Sequence, residues 1–267
     1  MASADGIHYE TCGEGTPVLV MHGGLGLDHQ YLRPALDDLA GGAELVFYDH
    51  RGNGQSAPVE DWGLITLESL ADDADALRSA LGLEGIVVYG HSFGGFVATR
   101  YALRHQRHLS GLILACTAAN LRHPPNIPAD ADPDAVAAFG ALFGEPMGSD
   151  GEWAETWHRA LPLYWPGMDR EVAADMHRRT RYRAQAWNRT MPALAGYDVL
   201  EEMGRIEVPT LLLCGGRDFL CGPASHEDMH AALPRSELVI FEESGHFPFI
   251  SERRRHREVV GDWLRSR

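Results

Sequence analysis

Residues 85–105 constrain the fold more than any other stretch. An apolar, β-branched run, Ile86-Val87-Val88-Tyr89, leads straight into Gly90-His91-Ser92-Phe93-Gly94-Gly95, and a helix-length segment follows over residues 93–105. A strand that turns directly into a helix puts the residue at the corner in strained backbone, and side chains two positions either side would collide. Gly90 and Gly94 flank Ser92 at that spacing. The pattern holds a serine hydroxyl at the tip of a sharp turn. The first amides of the following helix then face any negative charge that develops beside it.

The rest of the chain alternates short β-branched runs with helix-length amphipathic segments, the pattern of an α/β fold with a mostly parallel central sheet flanked by helices. Strands are expected over residues 18–21, 44–48, 85–89, 111–115, 210–214 and 237–241. Several are nearly all apolar, as strands buried on both faces are. Residues 66–81 place Leu67, Leu70, Ala74, Leu77 and Leu81 on one helical face, with Asp72, Asp73 and Asp75 off it. A last helix is expected over residues 252–267. The rhythm breaks between residues 120 and 204. That region opens with His123-Pro124-Pro125-Asn126-Ile127-Pro128, continues as helical pieces and holds four of the six tryptophans. A long helical insertion between strands of one sheet reads as a cap over the edge where such sheets bind ligands. The expected organisation is a core of residues 1–119 and 205–267 with a helical cap, or lid, at 120–204; the competing reading is a subdomain with its own core.

Composition removes competing chemistries. All 23 cations are arginine, so a Schiff-base lysine, a pyridoxal-phosphate anchor and a phosphate-loop lysine are all excluded. A net charge of −15 disfavours nucleic acid and anionic membrane surfaces as partners. No window approaches eighteen uninterrupted apolar residues, and the first residues lack a basic patch followed by an apolar run. Cys12, Cys116, Cys214 and Cys221 are poorly spaced for a disulfide framework and read as free thiols. The expected location is the cytoplasm.

Serine is a poor nucleophile until a base takes its proton. Fourteen histidines are available, so position must choose among them. Asp218 follows the apolar run 210–214 through Gly215-Gly216-Arg217, and His246 follows the next strand through Glu242-Glu243-Ser244-Gly245. Both emerge at the sheet edge that presents Ser92, in the order serine, acid, histidine. The expected triad is Ser92, His246 as base and Asp218 as its orienting acid. Two backbone donors must face the oxyanion: Phe93, next to the serine, and Gly24, in the loop His22-Gly23-Gly24-Leu25-Gly26. His91 is expected to point away from the nucleophile as a structural residue, and His22 to brace its loop.

The chain resembles the α/β-hydrolase fold family and, within it, the proline iminopeptidase-like serine hydrolases. The resemblance rests on residues 22–26, Asp49-His50-Arg51-Gly52-Asn53-Gly54-Gln55-Ser56, the Ser92 turn, residues 209–218, and Gly245-His246-Phe247-Pro248. It implies a capped hydrolase that works through an acyl-enzyme and needs no cofactor. Two positions depart from the family's aminopeptidases, which usually carry proline where Leu25 stands and tryptophan or tyrosine where Phe93 stands. Those enzymes also commonly place an acid directly after the triad aspartate and another at the end of the cap. Here Phe219 follows Asp218, and residues 176–197 contain no acid and five arginines. A bound ammonium group needs carboxylate partners, so neutral or acidic acyl esters are expected in preference to peptides with a free amine. Glu152, Glu155 and Asp175 elsewhere in the cap are the groups that could still hold an amine.

The expected partner is a small-molecule substrate, with self-association left open. Leu25, Phe219 and Phe247, with Trp153, Trp157 and Trp187 of the cap, are the candidates for substrate binding. The tryptophans either line an apolar acyl pocket or form the cap's own core. His226-Glu227-Asp228-Met229-His230 spells a zinc-protease signature, but it falls where an ordinary surface helix is expected and no third ligand is identified. No metal is expected. The glycines at 23, 24 and 26 lack the third glycine and acidic partner of a dinucleotide loop. Cys221 reads as a structural thiol, and the basic run 177–183 as a solvated helix face. Besides a hydrolase of carboxylic esters or small amides, three other functions stay open: an iminopeptidase-type aminopeptidase, a carbon–carbon bond hydrolase or lyase with a serine triad, and a receptor that keeps the fold only to bind small molecules.

Overall fold

The computed structural model describes residues 2–267. Eight strands form one sheet: β1 (Ala2–Ala4), β2 (Ile7–Cys12), β3 (Thr16–Met21), β4 (Ala43–Tyr48), β5 (Ile86–His91), β6 (Leu109–Ala115), β7 (Thr210–Gly215) and β8 (Ser236–Phe241). Their order across the sheet is β1-β2-β4-β3-β5-β6-β7-β8. The six strands from β4 to β8 in that order are parallel, and β1 and β2 add an antiparallel edge. Every residue of β5 and β7 is buried, as their uninterrupted apolar runs require. The sequence pattern does not mark the antiparallel edge. Ile7-His8-Tyr9-Glu10 offers only a short apolar–polar alternation, too weak to separate from a loop.

The helices follow the amphipathic segments. α1 (Leu67–Ala80) starts at Thr66, which exchanges reciprocal capping hydrogen bonds with Ser69. α2 (Phe93–His105) starts directly after Ser92. Between β6 and β7 lies the helical insert: α3 (Pro133–Leu142), α4 (Asp150–Tyr164), α5 (Arg170–Arg179) and α6 (Ala184–Thr190). Asp132, Ser149 and Asp169 each cap a first turn there with a side-chain oxygen. An isolated antiparallel bridge joins Asn120 to Asp198 where the chain leaves and re-enters the core. After β7 come α7 (Pro223–Ala232), α8 (Pro248–Ser251) and α9 (Arg253–Leu264), so the single terminal helix expected from residue 252 is preceded by a separate short turn.

The topology locates the site. β4 lies on one side of β3 and β5 on the other, so the loops leaving β3 and β5 diverge and open a crevice beyond the strands' C-terminal ends. The loop at 22–27 and Ser92 are the two segments that leave those strands.

Candidate active site

Ser92 sits at the corner between β5 and α2 with φ 53° and ψ −120°, a region that L residues avoid. The surroundings hold it there. Its amide donates to the Ala115 carbonyl at 2.9 Å, and its own carbonyl accepts from the Thr117 hydroxyl and the Gly95 amide, each at 2.8 Å. The flanking glycines are a steric necessity. A Cβ at Gly90 would come within 2.6 Å of the Gly94 oxygen, and one at Gly94 would run into the Met21 backbone oxygen.

Asp218 and His246 arrive from the ends of β7 and β8. His246 Nδ1 lies 2.7 Å from Asp218 Oδ2, and both side chains are buried. The second carboxylate oxygen accepts from the Leu220 and Cys221 amides at 3.0 and 3.1 Å. Burial alone would raise the Asp218 carboxyl. The electrostatic interaction with the His246 ring, the hydrogen bond to it and the two amides outweigh burial and hold the carboxyl below the usual carboxylate range. Asp218 is therefore anionic at neutral pH and keeps the histidine proton on Nδ1, which leaves Nε2 as a lone-pair acceptor. The Tyr164 carbonyl, from α4 of the insert, accepts the His246 amide at 2.7 Å. Ser92 and His246 line the same cavity.

The loop after β3 presents backbone donors to the same space. Gly23 donates to the Tyr31 hydroxyl and Gly26 to Asn53 Oδ1. Among the described residues the Gly24 and Phe93 amides have no protein acceptor. Gly24 has φ +58°, and both it and Phe93 line the cavity. His22 accepts the His50 amide at Nε2 (3.0 Å) and approaches the Gly23 oxygen through Nδ1 (2.9 Å). Burial pushes its ring down to about 4, so it stays neutral and braces the loop. Two groups from the insert clamp the far side: the Arg183 amide and the Trp153 indole N–H both donate to the Gly26 carbonyl, at 2.8 and 3.0 Å.

The cavity holds about 470 Å³. Leu25, Leu27, Phe93, Phe96, Trp157 and Trp187 are among its apolar walls, and no Asp, Glu or Arg among the described residues lines it. Of the residues expected to bind substrate, Leu25, Phe247, Trp157 and Trp187 reach the cavity. Trp153 and Phe219 do not. Trp153 is fully buried, stacked on Trp187 at 4.5 Å, while Phe219 packs edge-on against Phe139 and Tyr164. The walls that sequence reasoning missed include Phe96, Phe139, Tyr164 and Met191.

The remaining motifs fall elsewhere. On α7, His226 is buried with Nδ1 against the Gly222 carbonyl, and His230 faces Ser236. Neither joins a group of three ligand-type side chains among the described residues. Cys221 does reach the cavity wall, and burial pushes its thiol well above the usual range, so it stays protonated. In the basic run, Arg178 and Arg179 pair with Asp175, and Arg183 with Asp150. Among the described residues, no helix is long and apolar enough to cross a membrane.

Comparison with known proteins agrees with this architecture. A proline iminopeptidase from Clostridium botulinum is 30% identical over 96% of this chain and 92% of its own length. An esterase from Exiguobacterium antarcticum superposes with a TM-score of 0.82 at 24% identity, covering 97% of this chain and 95% of that one. A thermophilic esterase from Thermogutta terrifontis is 27% identical, with a TM-score of 0.76 over 97% of this chain and 93% of that one. The family model for the α/β hydrolase fold matches residues 16–253. Matched from β3 to the first residue of α9, the chain belongs to the α/β hydrolase fold family and is a hydrolase.

Proposed function

We propose that this enzyme cleaves neutral carboxylic esters with an apolar acyl group, through an acyl-enzyme on Ser92. His246 Nε2 takes the Ser92 proton as the oxygen attacks the ester carbonyl. The Gly24 and Phe93 amides hold the oxyanion that forms. His246 then gives its proton to the leaving alcohol, and water enters by the same route in reverse. Asp218 keeps the imidazole in the required tautomer throughout. In this reading residues 120–204 form the cap over the substrate.

The observation that carries the ester reading is the absence of any carboxylate among the described residues of the cavity wall. An aminopeptidase must desolvate an ammonium group beside the scissile carbonyl, and an unpaired buried cation is strongly unfavourable. Glu152 and Asp175, which could have met it, are engaged with the Gly148 amide and with Arg178 and Arg179, and Glu155 lies off the cavity wall. Identity to proline iminopeptidases keeps the amine reading as the alternative. The test compares kcat/KM for proline and alanine arylamides with matched short-chain aryl esters. An added pair, alanine ester against N-acetylalanine ester, separates amine recognition from amide reactivity. The ester and the N-acetyl substrate should be preferred. Preference for the arylamides and the free amine would return the chain to the aminopeptidases.

A further inference from the structure

The Tyr31 hydroxyl lies between groups that serve opposite halves of the site. The Gly23 amide donates to it at 2.6 Å, and its oxygen is 2.6 Å from His91 Nδ1. Across the imidazole, His91 Nε2 is 2.9 Å from the backbone oxygen of His246. The two ends fix the direction of the whole chain, because an amide can only donate and a carbonyl can only accept. Tyr31 accepts from Gly23 and gives its own proton to His91 Nδ1. The single ring proton of His91 then sits on Nε2 and goes to the His246 carbonyl. All three residues are 3% exposed or less, and Tyr31 and His91 stand at the cavity wall.

We propose that Tyr31 and His91 are positioning residues. Their chain ties the loop bearing the Gly24 amide to the loop bearing His246, so that oxyanion donors and base keep one spacing across Ser92. This rests on the acyl-enzyme reading above. Gly23 has no slack to take up. A Cβ there would come within 2.8 Å of Ser92 Cβ and 2.9 Å of the Tyr31 oxygen, so only a glycine fits between the tyrosine hydroxyl and the nucleophile. The turn that carries Tyr31 is itself held from the insert, where Arg179 donates to the carbonyls of Gln30 and Arg33 at 2.9 and 2.6 Å. Burial drives the His91 ring well below its ordinary range, which agrees with a neutral link in the chain.

The fold supplies a control away from the cavity. Tyr89, two residues before His91 on β5, makes a buried hydrogen bond to His256 Nε2 at 3.1 Å and does not line the cavity. Tyr31→Phe and Tyr89→Phe each delete one buried tyrosine–histidine bond. Tyr31→Phe also strips the Gly23 amide of its acceptor, so it should lower the melting temperature more than Tyr89→Phe, and only Tyr31→Phe should lower kcat. A tenfold or greater fall is expected on aryl esters, with KM within twofold and the rate of phosphonate labelling at Ser92 reduced in parallel. If Tyr31→Phe turns over like Tyr89→Phe, the positioning role is wrong. A second pair decides should Tyr31→Phe not fold. His91→Gln keeps an acceptor and a donor and should retain most activity, whereas His91→Leu should not; equal loss in both would overturn the chain as drawn. The acyl-enzyme reading fails separately, if Ser92→Ala remains active.

Discussion

Replacing Asp218 with asparagine changes almost no volume and tests the site's electrostatic logic. In the native arrangement the carboxylate accepts three hydrogen bonds: two from the Leu220 and Cys221 amides on one oxygen, and one from His246 on the other. Asparagine can keep the first two through its carbonyl oxygen, so its NH2 group then sits where Oδ2 stood, 2.7 Å from His246 Nδ1. An NH2 group only donates. Nδ1 must become the acceptor, and the ring proton moves to Nε2, the atom that has to receive the serine proton. The expected loss is about 10⁴-fold in kcat, equivalent to about 5.5 kcal/mol in the barrier. Folding should suffer less, by about 1.5–3 kcal/mol for the lost charge-assisted bonds. Steady-state ester hydrolysis with phosphonate titration of active sites measures the first, and urea unfolding the second. If the variant keeps more than about a tenth of native kcat, Asp218 does not set the tautomer and the reasoning fails.

Four further outcomes follow from the same structure. Burial, and then the Asp49 charge, push the Asp28 carboxyl up to about 7 from 3.8. The folded state therefore binds the Asp28 proton more tightly than the unfolded chain does, and stability from this group declines as pH rises from about 4 to about 7, by about 4 kcal/mol in total. Asp28→Asn should flatten urea-unfolding stability between pH 5 and pH 8 relative to the native protein; an unchanged pH dependence would refute the assignment. Gly94→Ala should abolish soluble folded protein because its methyl meets the Met21 backbone, while Gly261→Ala, in the interior of α9, should stabilise by about 0.5–1 kcal/mol. Chelators should leave ester hydrolysis unchanged, since His226 is turned into the core and does not converge with His230 on a third ligand. Inactivation reversed by added zinc would contradict that.

Much of this geometry was legible from local sequence because parallel strands carry directional information. A run such as residues 210–214 followed by glycines and an acid places that acid at one edge of the sheet, whatever the packing details. What stayed hidden depends on contacts between distant segments. Tyr31 and His91 are 60 residues apart, and nothing near either one marks the hydroxyl that joins them. Trp153 and Trp157 stand one helical turn apart on α4, both apolar and both buried, yet only Trp157 reaches the cavity. A helix with apolar neighbours on two sides has no periodicity that separates its core-facing residues from its cavity-facing ones. Phe219 was misplaced for a related reason. Proximity to Asp218 in sequence suggested the cavity, but Asp218 Oδ1 accepts the amides of residues 220 and 221, and the Phe219 ring meets Phe139 and Tyr164 instead.

The central claim is a covalent intermediate on one serine, and rapid quenching followed by intact-mass measurement tests it most directly. The native enzyme, mixed with a slowly deacylating aryl ester and quenched in acid within the first turnover, should gain the mass of one acyl group, mapped by peptide fragmentation to Ser92. Ser92→Ala should gain none. Turnover without any acyl adduct, or an adduct at a residue other than Ser92, would contradict the account.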